Sequence, residues 1–442
     1  MTARLDLTSD PWVRRLLVSR WPQFLLRAGL LAGFLFTILA GLLGSPIGSS
    51  NFAIIFVWIA WWSVLKLVLI PFGGRSWCAV CPIPMPGEWL RRGGILESRG
   101  GGTGLGLRWP RRLRGSWLQS GGFLLIGIFG ALTLTTPSVT GYALLGIFLL
   151  AFVLSLVFEP RAFCKSLCPI GGFTGLYAQA GPVEVRVKDR GVCERHAEKI
   201  CFNACPWGQY PLALQSSANC GLCMECLRAC PADNLAVNLR PWGADLGPGK
   251  HHRLDGAFLG LVMLASALVD SAVFLGPWGG LKLAAYQVGS PAWWGFAAAF
   301  LTFGLAVLPG IYALAVWAGQ KLGGRKVPLR SALAEQGQVL IPLGLMGWIA
   351  FTISFASTKF AYVLPVLSDP LGWGWNLFGT AGSAWVGQDS PFSLLLQVGL
   401  LISGLFWACR VARQLASSLR QAAPMLVFCA VFTLGMLWLL IG

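Results

Sequence analysis

Residues 52–83 read FAIIFVWIAWWSVLKLVLIPFGGRSWCAVCPI. Through Ile70 the run is apolar apart from Ser63 and Lys66, and a bilayer core about 30 Å thick takes about 20 such residues per helix. It predicts a membrane span that delivers Arg75, Trp77, Cys78, Cys81 and Pro82-Ile83 to the membrane surface. The same order recurs once. A second apolar run, 142–158, leads into Arg161-Ala-Phe-Cys164-Lys-Ser-Leu-Cys168-Pro169-Ile. Each hairpin ends in Arg, an aromatic residue, a cysteine pair and Pro-Ile, and both share one orientation, as in a parallel repeat about an axis along the membrane normal. Four thiolates meeting at that axis suit a metal site of their own, as a redox centre or a structural zinc, or a thiol–disulfide relay.

Outward from this repeat the whole chain is apolar. Of its 442 residues 55% are apolar and 12% charged, against about 25% charged in an ordinary soluble domain. Disordered, collagen-like and small disulfide-scaffold classes do not fit. Nine windows meet the span criterion: 24–43, 52–70, 122–137, 142–158, 256–275, 293–318, 339–357, 392–409 and 424–442. Basic residues then set the orientation. With the N-terminus inside, the inner loops hold 30 of the 34 Lys and Arg, the outer loops only Lys282 and Lys359, and Arg27 and Lys66 sit within spans near the inner edge. The formal charge of +17 is thus the positive-inside signature of a multi-pass cytoplasmic (inner) membrane protein, and it follows loop parity instead of forming a nucleic-acid-binding stripe. Arg14-Arg15 precedes an apolar run of span length without a clear cleavage site, so a retained first helix is expected.

Eleven of the 13 cysteines fall between Cys78 and Cys230, in loops that the charge count puts inside, where thiols stay reduced. Cys220, Cys223, Cys226, Cys230 and Pro231 carry the spacing C-x2-C-x2-C-x3-C-P. This is the bacterial ferredoxin run, in which three closely spaced thiolates hold one 4Fe-4S cluster and the fourth reaches to another. An imperfect partner run supplies Cys193, His196, Cys201, Cys205 and Pro206. By the crossed logic of two-cluster ferredoxins, Cys205 completes the cluster of Cys220, Cys223 and Cys226, and Cys230 joins Cys193 and Cys201. For the last ligand the candidates are His196, or Cys164 or Cys168; in the remaining alternative His196 lies at the surface beside a three-thiolate cluster. Two clusters are therefore expected here, and the hairpin cysteines Cys78, Cys81, Cys164 and Cys168 are candidates for a third metal site. The isolated Cys409 and Cys429 fall within or at the end of apolar helices and read as small hydrophobes.

Segments 183–187 and 235–239 alternate apolar and polar residues and predict two strands bracketing the cluster loops. The fold class that follows is mainly α: a polytopic membrane helix bundle of about nine spans, N-in and C-out, with an inserted ferredoxin-like α+β 4Fe-4S domain. Its expected divisions are a four-helix membrane region with both hairpin motifs (1–182), a cytoplasmic iron–sulfur domain (183–250) and a five-helix membrane region (251–442).

On the paired Cys-Pro loops and the 220–231 run, the chain resembles the membrane polyferredoxins that accompany nitrate and nitrous-oxide reductases, NapH-like and NosR-like, and the relatives that assemble cytochrome oxidase. The likeness covers residues 24–245. It implies single-electron transfer through 4Fe-4S clusters between the quinone pool and another redox protein or complex. Two positions depart from the family pattern: Cys78 and Cys81 are one residue closer than the common x3 spacing, and His196 stands where a thiolate is usual.

The chain's three histidines, His196, His251 and His252, all lie outside the spans, and no CxxCH occurs, so neither bis-histidine nor covalent haem is expected. Asp270 is the one carboxylate deep in a span and becomes the candidate proton acceptor for quinone chemistry. Two rival functions remain in view. One is a redox assembly or sensor protein for a copper or haem enzyme, the other a transport bundle with a structural metal domain. The topology is checked by reporter fusions: green fluorescent protein after Gly247 is expected to fluoresce and alkaline phosphatase after Gly442 to be active, and the opposite pattern reverses the assignment.

Overall fold

Eight helices in the computed structural model are long and apolar enough to cross a bilayer: Arg20–Leu43, Phe52–Gly73, Pro137–Val157, Leu254–Phe274, Pro291–Gly323, Leu329–Ser368, Pro391–Leu415 and Leu419–Ile441. The structure describes residues 4–96, 102–195, 198–249, 253–324, 327–385 and 391–441. Each helix lies on an expected window. The remaining window, 122–137, is shorter and broken. Helices Trp117–Ile128 and Gly130–Thr135 meet at Phe129 (φ −98°, ψ 8°), although Thr133 N–H still reaches Phe129 O at 2.9 Å. Glycines at 121, 122, 127 and 130 weaken a helix here, and Pro137 begins the next one after the single extended residue Thr136.

By compactness the chain forms two units, one of residues 1–36, 68–118 and 145–245 and the other of 37–67, 119–144 and 246–442. In the second unit the inner helices are Leu254–Phe274 and Leu340–Lys359, whose Val262, Met263, Leu264 and Trp348 are buried. Asn51 closes the turn between the first two spans from both sides. Its side chain accepts from Ala53 N–H at 2.9 Å as a helix N-cap and donates to Ala40 O at 2.8 Å. A Cβ at Gly41 would stand 2.9 Å from Pro137 O, so glycine permits two helix backbones to touch.

The first unit carries a three-stranded antiparallel sheet. Strands β1 (Leu5–Asp6), β2 (Val183–Val187) and β3 (Leu235–Leu239) lie in the order β1-β3-β2, with Val185 opposite Val237 and Leu5 opposite Leu239. The two longer strands match the alternating segments read from sequence. β1 was not anticipated, because two residues carry no periodicity.

One face of this sheet buries Val185, Leu235 and Val237 against Leu222 and Leu227 of the cysteine loop. The other is ionic and equally buried. Arg240 donates to Glu184 at 2.9 Å and to Asp245 at 2.9 Å, while Arg186 lies 3.2 Å from Glu184 and Ser217 N–H reaches Asp245 at 2.6 Å. Asp245 thereby anchors the turn just before Cys220. Burial opposes ionisation of Asp245, but the hydrogen bond and charge of Arg240 outweigh it and hold the carboxyl below its ordinary value. A depressed folded-state pKa stabilises above the unfolded value, so this contribution is present above about pH 4 and is lost as pH falls through the lowered value. Arg240→Met leaves two buried carboxylates short of a partner and is expected to cost about 3–5 kcal/mol, measured by chemical denaturation of the purified protein. In Asp245→Asn the acid-side loss of stability should be smaller than in wild type.

Candidate metal centres

The two hairpin loops hold each other by exchanged arginines. Gly74, at φ +60°, turns the chain out of its span into the short helix Ser76–Val80, and Arg161, itself left-handed at φ 58°, opens the helix Ala162–Ser166. Arg75 of the first loop donates to Gly171 O of the second at 2.9 Å, and Arg161 of the second donates to Cys78 O of the first at 2.9 Å. Arg161 also pairs with buried Glu88 from the helix Met85–Arg92, donating to its Oε2 at 3.1 Å. The sulfurs are dressed with donors. Arg75 Nε lies 3.5 Å and Thr174 Oγ1 3.4 Å from Cys78 Sγ, and Gly171 N–H reaches Cys168 Sγ at 3.3 Å, with Pro169 opening the next helix.

These contacts gather Cys78, Cys81, Cys164 and Cys168 within electrostatic reach of one another. Burial first and the neighbouring thiolates next raise Cys168 to about 12 and Cys81 well above the ordinary value. Cys164, desolvated but relieved by Arg161, stands at about 11. The three thiols of Cys81, Cys164 and Cys168 ionise together only with a compensating cation, which is the donor chemistry of a metal–sulfur centre.

The ferredoxin run folds with two residues in left-handed backbone, Leu222 (φ 50°) and Met224 (φ 62°), which curl Cys220, Cys223 and Cys226 before the helix Glu225–Ala229. Among the described residues the only other non-glycine positions of this kind are Arg161 and Asp233, so backbone strain is concentrated at the cysteine loops. Cys205 lies near this triplet: burial dominates the upward shifts of Cys220, Cys223 and Cys226, and Cys205 contributes to each. Cys201 is shifted up by burial and then by Cys230 and Cys193. Asn234 ties these last two together, its backbone N–H 3.4 Å from Cys230 Sγ and its amide 3.2 Å from Cys193 Sγ. His196, the expected fourth ligand, lies outside the described residues, as do His251 and His252.

Trp207, two residues beyond Cys205, was not singled out from sequence. Its ring packs with Cys78 and Cys164 of one set and Cys223 of another, under the Arg75 guanidinium at 4.2 Å from the ring centroid. Its buried Nε1–H has no partner, and a Cβ at Gly221 would lie 2.0 Å from that atom, so glycine lets the cysteine loop lie flat on the indole. An orphaned buried donor among three sulfurs fits an acceptor that a metal–sulfur group supplies. Among the described residues no three His, Cys, Asp or Glu side chains converge on a single-ion site. Each iron of a 4Fe-4S cubane takes its own thiolate, so its ligands spread wider than a shell around one ion. Beside these sets is a cavity of about 320 Å³, lined by Glu88, Arg91, Ser155, Arg161, Cys164 and Cys205.

Comparison with known proteins meets this geometry at the hairpins. A family described as "4Fe-4S binding domain" matches residues 54–115 and 140–191, the two repeats with their four cysteines. MauN of Paracoccus denitrificans, a methylamine utilization ferredoxin-type protein, is 30% identical over 158 residues, covering 32% of this chain and 52% of MauN. The ferredoxin-type protein NapH of Escherichia coli is 25% identical over 205 residues, 40% of this chain and 67% of NapH. Its Haemophilus influenzae counterpart is 28% identical over 193 residues, 38% of this chain and 63% of that protein. Across the two hairpins the chain is thus similar to NapH-like and MauN-like ferredoxin-type proteins. It spans about half the length of MauN, and no solved structure matches it.

The match to the 4Fe-4S binding domain thus covers the hairpin residues, whose spacing alone is open to several chemistries. Glu88, the acid paired with Arg161, was passed over because its loop reads as basic. Asp270 belongs to the second unit, within electrostatic reach of Lys66. Cys429 is fully buried there and packs as a small hydrophobe. If the hairpin and ferredoxin sets each hold a cluster, Cys164→Ser and Cys223→Ser should each lower iron by about four per chain, additively in the double variant. Iron and sulfide analysis with low-temperature EPR measures this, and full iron in Cys164→Ser counts against the hairpin centre.

Proposed function

We propose that this protein relays single electrons through cysteine-held 4Fe-4S clusters between the membrane quinone pool and a partner redox protein, with the clusters on the cytoplasmic side of the inner membrane. The observation that carries the proposal is Trp207 packed among cysteines of two sets, which gives adjacent centres a shared, dry, aromatic contact. The ferredoxin-type names of MauN and NapH support the same reading. In this scheme Cys78, Cys81, Cys164 and Cys168 hold one centre, Cys205, Cys220, Cys223 and Cys226 a second, and Cys193, Cys201 and Cys230 with His196 a third. A 4Fe-4S cluster supplies one-electron chemistry, with a potential set by hydrogen bonds to sulfur and by burial.

The chain's residues supply the rest. The 320 Å³ cavity opens beside Ser155, near the end of the span Pro137–Val157, and suits the head group of a lipid-soluble quinol. Quinol oxidation releases two electrons and two protons, and Glu88 in the cavity wall accepts the protons one at a time, passing the first to water before taking the second, with Arg161 holding the carboxylate in place. The role that sequence suggested for Asp270 therefore passes to Glu88, since Asp270 does not line this cavity. Arg75 and Arg161 lie over Trp207 and offset the negative charge that thiolate-held clusters carry.

The test is anaerobic mixing of the purified holoprotein with short-chain ubiquinol or menaquinol, followed by the bleaching of cluster absorbance. Dithionite reduction serves as the control for intact clusters. Glu88→Gln is expected to slow quinol-driven reduction by about 10²-fold or more while the dithionite signal persists. Clusters that dithionite reduces, but that neither quinol reduces nor either quinone reoxidises, overturn the quinone assignment.

A further inference from the structure

Lys66 is 1% exposed, and its Nζ has no hydrogen-bond partner. It sits in the span Phe52–Gly73 where the helix widens to a π-helical segment, Leu65–Leu69, a distortion that is rare and frequent at functional sites. Three aromatic rings surround the ammonium, with Nζ 5.0 Å from the centroid of Trp62, 5.0 Å from Trp348 and 5.2 Å from Phe351. Cation–π attraction to these rings offsets part of the cost of burying this charge but leaves the N–H donors of the ammonium unsatisfied.

The charged group facing Lys66 is Asp270 of the helix Leu254–Phe274, close enough to interact electrostatically, although no direct ion pair joins them among the described residues. From Leu340–Lys359 the facing groups are neutral, Trp348 and Phe351. Two more buried polar atoms lack partners nearby in the fold. Ser63 Oγ lies one turn before Lys66, and Ser266 Oγ lies one turn before Asp270, each on the same helix face as its charged neighbour. An amine and two hydroxyls with unmet hydrogen bonds, together with the half-buried carboxylate of Asp270, are what a bridging water, with two to four polar partners, requires.

We propose that Lys66 and Asp270 form a proton-exchange site inside the second unit, bridged by water that Ser63 and Ser266 help to hold. A proton leaves Lys66 Nζ for the bridging water as that water passes one of its own to Asp270, turning an ammonium–carboxylate pair into a neutral amine and a carboxylic acid. Net charge and proton count do not change in this step. That is why it is accessible in a low-dielectric interior, where gaining or losing a whole charge is costly. From the neutral state the amine accepts a proton and the acid releases one, so the pair loads and discharges a single proton. The site goes beyond the electron relay proposed above and stands without it, because its residues belong to a different unit.

Infrared difference spectroscopy of the solubilised holoprotein across a pH series tests the proposal. Wild type is expected to show a carboxylic-acid C=O band that shifts in D2O and is absent from Asp270→Asn. In Lys66→Met the pH at which the band disappears should be displaced by at least about one unit. Lys66→Met/Asp270→Asn, which removes both charges together, retains the fold and the cluster EPR spectrum and controls for simple loss of structure. A static ion pair gives an acid band only once acid pH protonates the carboxylate, and absence of the band near neutral pH, or a band unchanged in Asp270→Asn, overturns the proposal.

Discussion

Two arginines, each rooted in one cysteine loop and hydrogen-bonded to the backbone of the other, hold the first unit's centre together. Arg75 reaches Gly171 O and Arg161 reaches Cys78 O. Cys78 O lies near the C-terminal end of the short helix Ser76–Val80, where carbonyls lack intrahelical partners, and Arg161 satisfies it; Gly171 O, in the first turn of Pro169–Tyr177, also accepts from Thr174 Oγ1, and Arg75 adds a charged donor there that keeps its charge beside sulfur. One residue type thereby does two jobs at each loop. Removing Arg161 strands a buried carbonyl and a buried carboxylate.

The remaining cysteines depend on the sheet in a similar way. Its apolar face supports the curled loop through Leu222 and Leu227, and its ionic face fixes the turn before Cys220 through Asp245. Left-handed backbone at Leu222, Met224, Asp233 and Arg161 is tolerated because packing and charge overdetermine each loop. Strain, donors to sulfur and buried cations occur together where ligands must be presented at fixed angles.

In the second unit the governing constraint is the bilayer. Backbone groups are satisfied within helices, so polar side chains in the interior are few and those present stand out. The Lys66–Asp270 arrangement is the clearest of these. It also answers an objection to any role for the C-terminal spans in moving protons, namely that Asp270 read alone in sequence has no partner.

Spans, cysteine spacing and the strands at 183–187 and 235–239 were legible in sequence because each is written in a local pattern: apolar run length, ligand interval or alternation of two. The hairpin repeat was legible for the same reason. What the tertiary structure decided are the long-range pairings. These include the two-residue strand β1 laid on β3, Glu88 set against Arg161, Trp207 packed among cysteines from separate loops, and Lys66 enclosed by Trp62, Trp348 and Phe351. The break at Phe129 belongs with them in part, since glycine content signals weakness without fixing where a helix gives way. A local pattern reports what a segment requires of its surroundings, and only the folded chain determines which distant residue meets that requirement.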